Sequence, residues 1–159
     1  MMKKLFPVGL MILGLVFVVA GGYTAYRGFN AKDLVRDELI AQKIVTPEDA
    51  SIPNAVVDDP ATAKSMADII DHHSLEATGG KTYSELDRTD PTRTTAFQAS
   101  ALRTSLYTSV MAFNVADLVI GLGLMIAVLG VAFIGLGVAL EGLVLPSLAR
   151  RVHVQPVVA

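Results

Sequence analysis

The chain has 159 residues, is 52% hydrophobic, contains no Cys and no Trp, and carries a formal net charge of −2. The lack of cysteine excludes a disulfide framework, a thiol nucleophile and a lipid-modified cysteine anchor, and the weak acidity argues against nucleic-acid binding. The mean hydropathy of +0.52 exceeds that of an ordinary soluble domain, and the excess lies in two uncharged blocks, Leu5 to Tyr26 and Leu118 to Leu140.

Residues 1–4 include Lys3 and Lys4 and read as a cytoplasmic N-terminus. Residues 5–26 follow as a first transmembrane helix, since about 20 apolar residues cross a hydrocarbon core of roughly 30 Å. The same block has the form of a secretion signal with a cleavage site after Ala20. Retention as an anchor is preferred, because apolar residues continue past Ala20 and Tyr23 and Tyr26 sit where an interfacial belt forms.

Residues 27–117 form a polar segment that holds all but one of the fifteen Asp and Glu residues, Glu141 being the exception. Ala31, Leu34, Val35, Leu39 and Ile40 extend the first helix to about Ile44. Thr46-Pro47-Glu48-Asp49 has the signature of a short helix start. Asn54 to Pro60 reads as an extended link, and a helix is expected from Ala61.

On that helix Met66, Ile69, Ile70, His73 and Ala77 share one face; Lys64, Asp68, Asp71, His72 and Glu76 share the other. His73 reads as half-buried packing and His72 as a surface residue. Asp68, His72 and Glu76 are the candidate metal ligands, at spacings of four. The outer two are about 12 Å apart by helix rise, which is too far for three ligands on one ion. Gly79-Gly80-Lys81-Thr82 resembles the end of a phosphate loop, yet Leu75 stands where that loop needs glycine. The glycines fit a left-handed helix stop, and Thr82 to Glu85 has capping-box spacing. No cofactor is expected.

Asp90-Pro91 can open a last helix of about 50 residues, uninterrupted until Pro146, with Phe97, Ala101, Leu102, Leu106, Val110 and Phe113 inward. Its second half is the second transmembrane helix, 118–140. Residues 141–159, with Arg150, Arg151 and His153, make a cytoplasmic tail. Basic residues flanking both spans place both termini inside and the acidic segment outside a plasma membrane. Arg27, Asn114 and Asp117 mark the outer entry.

Glycine recurs every seven residues in both spans: Gly14, Gly21 and Gly28 in the first, then Gly123, Gly130 and Gly137 after Ser109 and Ala116 in the second. Such a stripe keeps one face toward a neighbour and lets two backbones approach closely in lipid. If the helices run antiparallel, Gly14 pairs with Gly130, Gly21 with Gly123 and Gly28 with Ala116. That register brings Arg27 level with Asp117, and Lys3 level with Glu141. A homo-oligomer packed through the same stripe is the rival arrangement.

The expected fold is therefore an all-α membrane protein: an antiparallel two-helix transmembrane hairpin with long helices extending into a small extracytoplasmic helical head. "TPEDASIP", "LEATGGKTYSELDR" and "AFQASALRTSLYTSVMAFNVADLVIGLG" resemble a set of small actinobacterial two-span membrane proteins. The resemblance implies a shared architecture and carries no catalytic residues. Members of that set sometimes bear the label aromatic ring-opening dioxygenase. Such a non-haem iron site needs two histidines and a carboxylate converging, whereas His72 and His73 point about 100° apart.

The function expected is a non-enzymatic accessory or scaffold subunit of the cell envelope, with the lipid bilayer and another membrane protein, or a second copy, as partners. The alternative is a metal-dependent enzyme or metal sensor using His72 with Asp68 or Glu76. Transport is a third reading, and two spans line a pore only by oligomerising.

Overall fold

A computed structural model describes residues 2–152, and the side chains of residues 5–142. His153 and the rest of the tail, together with the side chains of Lys3, Lys4, Arg150 and Arg151, lie outside the described residues. Among the described residues three helices make up the regular structure: α1 (Met2–Ala41), α2 (Pro60–Ala77) and α3 (Arg93–Val152). Among the described residues there is no strand, only an isolated bridge between Val45 and Val56. The chain divides into two compact units, Met1–Arg27 with Val119–Ala159, and Gly28–Leu118.

In the first unit almost every large side chain faces outward, because the two helices meet through their smallest residues. The buried positions are Pro7, Gly14, Gly21 and Ala25 on α1, and Gly123, Gly130 and Gly137 on α3. A Cβ placed on Gly14 would lie 2.5 Å from the carbonyl oxygen of Gly130; one on Gly21 would lie 2.5 Å from both Gly123 O and Ala127 N. One on Gly137 would meet Met11 Cγ at 2.6 Å and Pro7 O at 2.9 Å. Gly9, Gly22, Gly121 and Gly135, off the stripe, have open space instead. Phe17 and Phe133 close the flank of this seam, with ring centroids 5.7 Å apart. α3 continues through Pro146, where the sequence predicts a stop. Proline removes one intrahelical bond, and the Ser-Leu-Ala-Arg run after it retains helix propensity.

The second unit has the buried side-chain core. Leu39 of α1, Ala63 and Ala67 of α2, Leu106 and Phe113 of α3, and Val57 of the α1–α2 connection pack together. α1 ends at Ala41 rather than Ile44, since Lys43 takes a left-handed φ of 54° and the chain turns back. Val57 N–H then donates to Ile44 O at 3.0 Å, and Thr46 N–H to Ala55 O at 2.9 Å.

Thr46 therefore does not start a helix. Pro47 to Ala50 is a turn, closed by Ala50 N–H on Pro47 O at 3.2 Å, and the Thr46 side chain serves the loop instead. Its buried hydroxyl donates to Ile52 O at 2.5 Å and accepts from Ala55 N–H at 2.9 Å. Thr46→Val keeps the shape but strands both groups, and should cost about 1–3 kcal/mol in thermal unfolding. Thr46→Ser, which keeps the hydroxyl, should recover most of it.

The ends of α2 follow local chemistry. Asp59 accepts from Thr62 N–H at 2.7 Å and Pro60 occupies the first turn. At the other end Gly79 and Gly80 take φ of 65° and 84°, and Gly80 N–H reaches Leu75 O at 2.7 Å while Gly79 N–H reaches Glu76 O at 3.3 Å. This is a Schellman stop, which glycine adopts without strain. Glu85 accepts from Thr82 N–H at 2.8 Å, within a turn rather than a helix.

α3 begins at Arg93, after Asp90 accepts from Thr92 N–H at 2.8 Å. Its inward stripe holds Leu106, Val110 and Phe113 as predicted and departs from the prediction at the start of the helix. Ala96, Ala99, Leu106, Phe113 and Ala116 are buried, while Phe97 and Leu102 are exposed. Small Ala96 and Ala99 permit close approach on that side. Phe97 instead packs against Tyr83 with its ring tilted by 53° and centroids 5.7 Å apart, and the Arg93 guanidinium carbon lies 4.1 Å from the Tyr83 ring centroid.

Candidate functional site

The paired histidines of α2 are held apart by different partners. His73, exposed rather than half-buried in the core, places Nε2 2.6 Å from Asp49 Oδ2 and so pins the Pro47–Ala50 turn to the helix. His72 Nε2 lies 3.3 Å from Glu76 Oε1, one turn along α2. Asp68 turns away from both: one oxygen pairs with Lys64, and the other accepts from the Tyr107 hydroxyl at 2.7 Å. Asp68, His72 and Glu76 are thus not gathered about one point, and among the described residues no three His, Asp or Glu side chains could hold a metal.

What joins α2 to α3 is a polar seam. Beside the Asp68–Tyr107 bond, Arg103 pairs with Asp71 at 2.6 Å, leaving its buried Nε without a protein partner. Arg103 and Tyr107 do not stand out in the sequence. The available signal is their spacing of four, opposite aspartates spaced by three, which matches one helix face to another.

Lys64 first, and Tyr107 second, hold the Asp68 carboxyl below its usual 3.8, and the Thr62 backbone N–H does the same for Asp59. With folded pKa values below the unfolded ones, the unfolded chain takes up protons first on acidification. The stabilisation is complete above the usual carboxylate pKa and is lost as pH falls through the lower folded values. The thermal midpoint should therefore stay flat from neutral pH to about pH 5 and fall below about pH 4, and Asp68→Asn should flatten part of that fall.

The entry residues separate. Asp117 pairs with Lys32 at 2.8 Å, not with Arg27, whose guanidinium donates to the Tyr23 hydroxyl at 3.2 Å. Matched depth along two helices does not fix which side chains face each other, since that depends on azimuth. Asn114 is exposed.

An apolar groove of about 670 Å³ opens on the second unit among α1, α2 and α3. Leu39 and Leu106 are its buried floor; Leu34 and Leu102, 63% and 55% exposed, are its lips. Its polar lining comprises Glu38, Gln42, Ser105, Thr108 and Ser109, two of whose hydroxyls are bonded along α3. Thr108 donates to Thr104 O at 2.7 Å and Ser109 to Ser105 O at 3.3 Å, both along α3 itself.

The geometry defines a class: an all-helical chain with two helices long and apolar enough to cross a membrane, Leu5–Ala41 and Arg93–Gly142, with mean hydropathy 2.4 and 2.7 in their most apolar stretches. No protein-family model, curated protein or solved structure matches the chain.

Proposed function

We propose that the chain is a two-pass integral membrane protein of the plasma membrane, with an antiparallel helical hairpin as its anchor and an acidic helical head outside, acting without catalysis as an accessory or scaffold subunit. The observation that carries the membrane reading is burial. Only 17% of the most apolar stretch in each long helix is buried, whereas the core helix of a soluble protein hides its apolar face. Leu5, Phe6, Ile12, Val19, Val128 and Val131 are each at least 60% exposed, and lipid is the solvent that such a surface fits. The flanking Lys3, Lys4, Arg150 and Arg151 support the orientation.

Support for a scaffold role comes from the head. Both of its histidines and ten of its fourteen carboxylates are engaged in ion pairs, turns or caps, and among the described residues these groups assemble neither a nucleophile with a base nor a phosphate cradle. The partner is another membrane protein or a second copy.

Because the chain has no cysteine, single cysteines report topology cleanly. Thr89→Cys should react with a membrane-impermeant maleimide on intact cells, and the protein should resist carbonate extraction. Release by carbonate would overturn the membrane reading, and protection of Thr89→Cys would overturn the orientation. Purification in mild detergent should recover a stoichiometric partner or a defined homo-oligomer. A monomer that captures nothing would overturn the scaffold reading.

A further inference from the structure

We infer that Val18-Val19-Ala20-Gly21 is a latent signal-peptidase site, held shut by its packing against α3, so that the second span decides whether the first is kept; this rests on the membrane reading above.

The motif is complete along the chain. Lys3 and Lys4 lead into an uncharged run, Leu5 to Phe17, whose length lies within the roughly 7–15 residues of a signal's apolar core. Val18 and Ala20 then stand three positions and one position before the bond to Gly21, where a cleavage site presents its small residues. With the basic flank inside, that bond lies toward the outer end of the span, the side on which secretion signals are removed.

What the motif lacks is the conformation. A peptidase that reads these two side chains together needs an extended segment, in which alternate residues point the same way. α1 is helical from Met2 to Ala41, and two positions along a helix are about 200° apart. Ala20 is accordingly exposed, while Val18 is half-buried and Gly21 buried. The two recognition side chains face different surroundings.

Packing against α3 adds a second barrier. A Cβ on Gly130 would lie 2.6 Å from Val18 N and 2.8 Å from Val18 Cγ2, and one on Gly21 would lie 2.5 Å from both Gly123 O and Ala127 N. Val18 and Gly21 therefore sit directly on the backbone of α3. To be cut, the segment must uncoil and also withdraw from that backbone, and in lipid the freed peptide groups find no water to replace their helical bonds. Cleavage then follows the population of the opened form.

The reaction is a hydrolysis. Water adds to the Ala20 carbonyl carbon and the C–N bond to Gly21 breaks, leaving a carboxylate on Ala20 and, with the proton transferred, a free amine on Gly21.

The test incubates the full chain, purified in mild detergent, with a purified bacterial signal peptidase, and reads the products by intact mass and amino-terminal sequencing. The unsubstituted chain should be cut slowly. Gly123→Leu should be cut about tenfold faster, the effect of about 1.4 kcal/mol on opening, with a new amino terminus at Gly21. Gly123→Ala should fall between the two. Gly121→Leu should match the unsubstituted chain, since a Cβ there meets nothing within 4 Å. Adding Ala20→Phe to Gly123→Leu should stop the cut, because the residue before the bond must be small, and Ala20 is exposed, so the ring has room.

Equal rates for Gly123→Leu and the unsubstituted chain would overturn the inference and leave the membrane reading standing. So would a cut that Ala20→Phe leaves in place. Limited trypsin digestion checks that the head stays folded in Gly123→Leu; if it does not, Gly123→Ala makes the comparison, and a rate there no higher than in the unsubstituted chain would overturn the inference. Release of the unsubstituted chain by carbonate would overturn the membrane reading, and the inference with it.

Discussion

Gly123→Leu should be among the most damaging single substitutions in the chain, and Gly121→Leu, two residues away, should be close to silent. A Cβ on Gly123 would lie 2.5 Å from Ala25 N and 2.7 Å from Gly21 O, both backbone atoms that cannot swing aside, whereas one on Gly121 meets nothing within 4 Å. Overpacking costs about 1–3 kcal/mol where neighbours can shift, and here the helices themselves must separate along the seam. Even Gly123→Ala should be destabilising. Close backbone approach is what holds helices together in lipid, where burial gives no driving force between them, so the loss is not recovered elsewhere. Thermal unfolding in detergent, followed by circular dichroism, would compare the pair. Equal effects at positions 121 and 123 would remove the seam as the basis of packing.

Phe113→Ala should cost the second unit about 3–5 kcal/mol, the usual penalty for emptying a buried aromatic site. Phe113 is 1% exposed and packs in the cluster with Leu39, Val57 and Leu106. Against a typical domain stability of about 5–15 kcal/mol, that is a large share. For a unit of under 100 residues, 1 kcal/mol moves the midpoint by about 4–8 °C. A drop of well over 10 °C is therefore expected, with faster proteolysis of the loop between α1 and α2, while extraction from the membrane fraction should not change. Met111→Ala makes the control, since Met111 is 65% exposed. A shift of Phe113→Ala no larger than this control would mean that the core lies elsewhere.

The two substitutions probe different physics. The first unit has almost no side-chain core and depends on what its glycines lack; the second has a small conventional core under short polar clasps, Arg36–Asp58 at 2.6 Å and His73–Asp49 at 2.6 Å among them. Such exposed pairs contribute little each. They orient the connection between α1 and α2 more than they stabilise it.

Sequence by itself determined whatever depends on neighbours along the chain. The uncharged blocks, a helix from about Ala61 with its Gly79-Gly80 stop, and the seven-residue recurrence of small residues are all local. Each follows from hydropathy, cap chemistry or backbone freedom without a partner. The Asp59 cap, which reads in the sequence as part of an extended link, emerged only with Thr62 in place. Tertiary structure alone decided the azimuths and the partners. The predicted face of α3 contained Phe97 and Leu102, but the buried one contains Ala96 and Ala99. Leu106 and Phe113 are inward as the pattern has them; at the start of α3 it is the neighbouring face that is covered, since adjacent positions differ by only about 100° and Phe97 packs on Tyr83. Thr46-Pro47-Glu48-Asp49 carries a helix-start signature, yet the Thr46 hydroxyl is claimed by Ile52 and Ala55, and Asp49 by His73. The groove was invisible for the same reason, since its walls come from three helices. A local code specifies where a helix begins, ends and is apolar; which side it shows, and to what, is settled by the competition among all the surfaces that must be covered at once.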